Sequence, residues 1–100
     1  MGYYKLLGSA QCNSTGTNVT FTETLDHFAF CYIVGGYGAS GNDAGSIFFP
    51  AGLKQNITIV NAASTSVHYY VQNFTSTGCK ILGDASTHYV RIYGVGRISS

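Results

Sequence analysis

One hundred residues make one domain, able to bury roughly two-thirds of the surface its unfolded chain exposes. Only nine residues are charged, against eight tyrosines and six phenylalanines, so the surface is rich in hydroxyls and amides, hidden by partner chains, or both. A net charge of +1 from scattered basic residues sets up no field for a polyanion, and no apolar run approaches the ~18 residues of a membrane helix, so neither nucleic acid nor membrane insertion is expected.

The opening Met1-Gly2-Tyr3-Tyr4-Lys5 lacks the charged and apolar regions of a signal peptide. Met1-Gly2 reads as an added start, and the chain as a fragment of something longer. Residues 3–7 form a short strand ended by Gly8-Ser9. Residues 12–18 are turn chemistry, and Val19-Thr20-Phe21-Thr22 alternates as a strand does. A corner at 24–26 feeds the central strand, 26–34, which has no proline or glycine and is rich in aromatic and β-branched residues. Its Phe28, Phe30, Tyr32 and Val34 share one apolar face; Ala29, Cys31 and Ile33 share a smaller one. The bulky face is expected on the core, and the small one under a second layer or a neighbouring subunit.

Residues 35–45 hold five glycines in eleven positions, which predicts a long exposed loop. A short strand at 46–49 is broken by Pro50-Ala51-Gly52, and 55–60 alternates Ile57 and Ile59 against Asn56 and Thr58. Residues 61–65 are a loop. The second long strand, 66–74, sets Val67, Tyr69 and Val71 opposite His68, Tyr70 and Gln72. Strands at 79–82 and 88–95 follow, the last with Val90 and Ile92 on one face and Tyr89, Arg91 and Tyr93 on the other. About eight short strands at ~10-residue spacing predict one all-β domain over 1–100, an antiparallel β-sandwich or jelly-roll-like fold. The predicted inward set is Leu7, Phe21, Phe28, Phe30, Tyr32, Phe48, Ile57, Ile59, Val67, Val71, Ile81, Val90 and Ile92.

Three cysteines, Cys12, Cys31 and Cys79, show no CxxC spacing. Cys31 reads as a small buried hydrophobe. Cys12 and Cys79 lie near turns and are open to pairing, although free thiols kept reduced in a cytoplasm are the simpler expectation.

The order of these segments resembles a known family. Tyr4-Lys5-Leu6-Leu7, Val19-Thr20-Phe21-Thr22, Asp26-xx-Ala29-Phe30-x-Tyr32-Ile33-Val34, Phe48-Phe49-Pro50, Ile57-Thr58-Ile59 and the closing Val90-Arg91-Ile92-Tyr93-Gly94-Val95 look like the C-terminal tip domains of bacteriophage tail fibres and baseplate proteins, and their prophage relatives. The resemblance implies a homotrimer at the far end of a longer fibre. It also implies a virion-tail location after synthesis in the bacterial host, and binding of host cell-surface polysaccharide or surface protein. It carries over no catalytic residue.

Within the residues themselves, the 35–45 stretch is the best ligand loop. Tyr37 offers a ring to a sugar's apolar face, and Asn42 and Asp43 offer partners for its hydroxyls; a plain connector is the alternative. Tyr69, Tyr70, Tyr89, Arg91 and Tyr93, facing outward from strands, suit a trimer interface, with a sugar platform or an ordinary exposed face as the alternatives. His27, His68 and His88 lack ligand spacing, and no metal or other cofactor is expected. Adjacent Asp26 and His27 in a strand point to opposite faces, no GxSxG elbow occurs, and Asp43 and Asp84 read as turn formers, so no enzyme is expected. Four Asn-x-Ser/Thr triplets, at Asn13, Asn18, Asn56 and Asn73, follow from alternating Asn and Thr in strands. A non-enzymatic adhesin is the leading reading, a purely structural capping module the second. A small hydrolase or polysaccharide-degrading accessory domain is the third.

Overall fold

The computed structural model describes residues 3–37 and 42–98, without the side chains of Asn42 and Asp43. Its strands are β1 (Tyr4–Gln11), β2 (Thr17–Thr20), β3 (Phe28–Tyr37), β4 (Asn42–Pro50), β5 (Ile57–Val60), β6 (His68–Gln72), β7 (Gly78–Gly83) and β8 (His88–Arg97). They form two four-stranded antiparallel sheets packed as a sandwich: sheet A in the order β1-β8-β3-β4, sheet B in the order β2-β7-β6-β5. First strand pairs with last and second with seventh, as a ribbon rolled on itself pairs its ends. The β3–β4 hairpin stays within one sheet, and β5, β6 and β7 run as a meander in the other.

The corner before β3 is a 3-10 turn, Leu25–His27, so the strand opens at Phe28 rather than Asp26. Thr24 Oγ1 accepts from the Asp26 amide at 3.3 Å, satisfying a donor the short turn leaves free, and Leu25 anchors the turn in the core.

The core lies between Leu7, Cys31, Ile33, Val90 and Ile92 of sheet A and Ile57, Ile59, Tyr69, Val71 and Ile81 of sheet B. Phe21, Phe49 and Phe74 add edge-on ring pairs, both with centroids 5.9 Å apart. Most of the predicted inward set is buried, and Val67 is half-buried against the core.

The two faces of β3 are the reverse of the expectation. Cys31 and Ile33 point into the sandwich, while Phe30 and Tyr32, with Phe48 opposite them on β4, lie on the outside. The cause is the opposing sheet. The Tyr69 ring needs room, and it lies against Gly35, where a Cβ would sit 2.6 Å from a ring carbon. Small side chains on β3 let the sheets close; a bulky inward face would hold them apart. Of the bulky set, Phe28 joins the core cluster, its ring under Gly94, where a Cβ would sit 2.5 Å away, and Val34 is buried outside that cluster.

The predicted 35–45 loop is also corrected. Gly35 and Gly36 continue β3 to Tyr37, and β4 begins at Asn42, with Gly35 paired to Gly45 and a register shift beyond it. Here glycine supplies close approach within a strand. Residues 38–41 lie outside the described residues.

Candidate functional site

The outward face of sheet A carries the most distinctive surface. Antiparallel register aligns its side chains in rows across the four strands. One row runs Tyr4, Val95, Phe30, Pro50; the next Leu6, Tyr93, Tyr32, Phe48; the third Ser9, Arg91, Val34, Ser46. The first two rows are apolar or aromatic throughout. Ring centroids are 5.0 Å apart for Phe30–Phe48, 5.8 Å for Tyr4–Tyr93, 6.2 Å for Tyr32–Phe48 and 6.3 Å for Tyr32–Tyr93. Between them runs a groove of about 410 Å³, lined by Tyr4, Tyr32, Val34, Phe48, Arg91, Tyr93 and Val95. Arg91 Nη1 donates to Tyr93 Oη at 3.3 Å. The outward face of sheet B is mixed: Asn18, Lys80, Gln72, Thr58 and Tyr70 give it hydroxyl, amide and ammonium groups, with Val60 and Leu82 between them.

Register therefore divides the predicted interface residues. Tyr89, Arg91 and Tyr93 do share the outward face of sheet A. Tyr70 lies on the opposite side of the sandwich, its ring stacked on His68 at 6.0 Å. Tyr69 is a correction: it does not face outward but is 0 % exposed in the core. Its hydroxyl accepts from Asn61 Nδ2 at 2.7 Å and meets His88 Nδ1 at 2.5 Å. Burial pushes its pKa up.

The predicted ligand residues sit at one end of sheet A. Tyr37 is 57 % exposed, its ring edge-on to His88 at 5.4 Å. On the other face of the sheet at the same end, Tyr89 Oη donates to Gln11 Oε1 at 3.4 Å, and Gln11 Nε2 donates to the Ser86 carbonyl. Asn42 and Asp43 pair by backbone with Tyr37 and Gly36; their side chains lie outside the described residues.

The opposite end is organised by Glu23, which the sequence did not single out. Its carboxylate takes Arg97 Nη1 and Nη2 (2.5 and 2.9 Å), His27 Nδ1 (2.6 Å) and Lys5 Nζ (3.0 Å). Arg97, then His27 and Lys5, hold that carboxyl well below the usual carboxylate range. The Arg97 guanidinium also lies 4.8 Å from the Tyr3 ring centre and 5.0 Å from that of Phe28.

The three histidines serve separate places: His27 at Glu23, His68 at Asp84 (2.8 Å) and His88 at Tyr69. The His68–Asp84 pair joins residues sixteen apart, which no linear spacing reveals. Asp26 pairs with Lys54 at 3.2 Å. Among the described residues, no group of three or more His, Cys, Asp or Glu is placed to hold a metal ion. Cys12, Cys31 and Cys79 are buried and free, so Cys12 and Cys79 do not pair. Burial pushes their thiols up to about 11, 12 and 12 respectively, with Asp84 adding to the first and Cys79 to the second.

Local sequence does not mark the outward Tyr4, Leu6, Phe30, Tyr32 and Phe48 as surface groups. The signal was in β8. Once Tyr93 faces out and β8 pairs with β3, Tyr32 opposite it must face out too. Comparison of the chain with protein-family models, with curated proteins and with solved structures finds no match.

Proposed function

We propose that this chain is a non-enzymatic receptor-binding domain from the tip of a phage tail fibre or baseplate protein. In this reading it works as a homotrimer on host cell-surface glycan. The observation that carries it is the Tyr37 end of sheet A. An exposed ring stands there, edge-on to His88 at 5.4 Å, and an exposed aromatic ring is the apolar plate on which a sugar ring stacks. Such a shallow site holds one sugar weakly, and copies presented together on one fibre raise the apparent affinity by on the order of a hundredfold.

A glycan array probed with the wild-type chain and with Tyr37→Ala tests this. Binding that disappears in the variant, with its light-scattering mass unchanged, supports the reading. Binding that survives the substitution refutes the site, and a wild type silent on every glycan refutes the function. A second reading, a purely structural trimerisation or capping module, is favoured by the breadth of the apolar rows on sheet A. Apart from tyrosine hydroxyls, they offer a sugar no hydrogen-bonding side chain.

A further inference from the structure

The two outward faces of the sandwich differ in chemistry. Sheet B presents amides, hydroxyls and Lys80 to water, with Val60 and Leu82 scattered among them, as an exposed sheet does. Sheet A presents two full rows of apolar and aromatic side chains, a continuous patch larger than scattered surface hydrophobes explain. We infer that this face is where copies of the chain meet, the ring rows of one copy seated on those of the next. The contact goes beyond the reading above, since identical faces meet about a two-fold axis and close as a pair, and it lies on Tyr4, Leu6, Phe30, Tyr32, Phe48 and Tyr93 rather than on Tyr69 and Tyr70.

Area supports a second copy as the occupant. Tyr4 is 67 % exposed, Leu6 45 %, Phe30 39 % and Phe48 54 %. At ~200 Å² per large side chain, these four expose about 400 Å². The half-buried Tyr32, Tyr93 and Val95 bring the face to on the order of 600 Å², and two such faces to about 1,200 Å², where specific protein interfaces begin. Charge agrees. Among the described residues lining the groove, Arg91 is the one charged side chain, and a chain of net charge +1 raises little barrier to meeting its own copy. The face also has both a recess and rings standing beside it, so one copy can fill what the next leaves open.

The test is sedimentation velocity of the full chain from 1 to 100 μM, for wild type, Phe48→Glu and Leu53→Glu. Leu53 is 57 % exposed outside both sheets and serves as the control for an added surface charge. The expected result is an assembled wild type and Leu53→Glu, with self-association about a hundredfold weaker in Phe48→Glu and an unchanged circular-dichroism spectrum. A wild type that stays monomeric throughout overturns the inference. So does an assembly indifferent to Phe48→Glu, or a monomeric wild type whose glycan binding is lost on that substitution, which would make the groove a sugar site. An assembled, Phe48-dependent chain that binds no glycan upholds this inference and removes the receptor-binding reading, so the two fail separately.

Discussion

Replacing Tyr69 with Phe tests the assignment of this residue to the core rather than to a surface between copies. The substitution keeps the ring against Gly35 and deletes one oxygen. That oxygen accepts from Asn61 Nδ2 at 2.7 Å and meets His88 Nδ1 at 2.5 Å. Asn61 is 3 % exposed, and its Oδ1 is held by the Ala63 and Ser64 amides at 2.8 and 3.0 Å, so the side chain cannot turn its orphaned amide to water. Burying an unpaired donor costs ~1–3 kcal/mol, and a loss of about 2 kcal/mol lowers the midpoint of a domain this size by about 8–16 °C. Thermal unfolding followed by circular dichroism at fixed protein concentration reads the shift, and light scattering reads the mass. A midpoint moved by less than about 3 °C, or a change in mass without loss of stability, would falsify the core assignment.

Three further outcomes are expected. Gly35→Ala puts a Cβ 2.6 to 2.8 Å from three Tyr69 ring carbons, and since that ring is fully buried, the chain should lose about 1–3 kcal/mol in a urea titration. Glu23 has its pKa depressed by Arg97, His27 and Lys5, so its contribution to stability is present above the ordinary value of 4.5 and is lost as pH falls below it; Glu23→Gln should flatten the acid side of a stability–pH curve, and an unchanged acid limb counts against the hub. The thiols run the other way. With pKa values raised to about 11–12 from 9.0, they hold their protons in the folded chain while the unfolded chain loses them, so stability should fall as pH rises above 9, less steeply in Cys79→Ala, and native thiols should resist a thiol reagent until the chain is denatured.

Alternation along each strand was legible in the sequence because side-chain direction has a period of two. Val90 and Ile92 inward against Tyr89, Arg91 and Tyr93 outward needed nothing else. The absolute direction of β3 was not legible, since both of its faces are apolar. The sign was decided by Tyr69 from the other sheet and by register with β8, both long-range. Tyr69 has the parity of the buried Val71, and only the general preference of tyrosine for surfaces points it outward in the sequence. The glycine-rich stretch misled for a related reason: composition registers the missing side chains but not the neighbour that occupies their space. The Glu23 and Asp84 partnerships join residues up to 74 apart, beyond any local pattern.

The pairing of β1 with β8 has a practical consequence. It brings Tyr3 beside Arg97, whose Nη2 donates to the Tyr3 hydroxyl at 3.0 Å, while Tyr37 pairs with His88 at the far end of the same strand. Tyr3 and Ile98, the outermost described residues, therefore lie at the pole remote from Tyr37, and a handle held there leaves that pole clear. Immobilised by such a handle, the molecule would stand with its hairpin pole turned toward the solution and sheet B unobstructed.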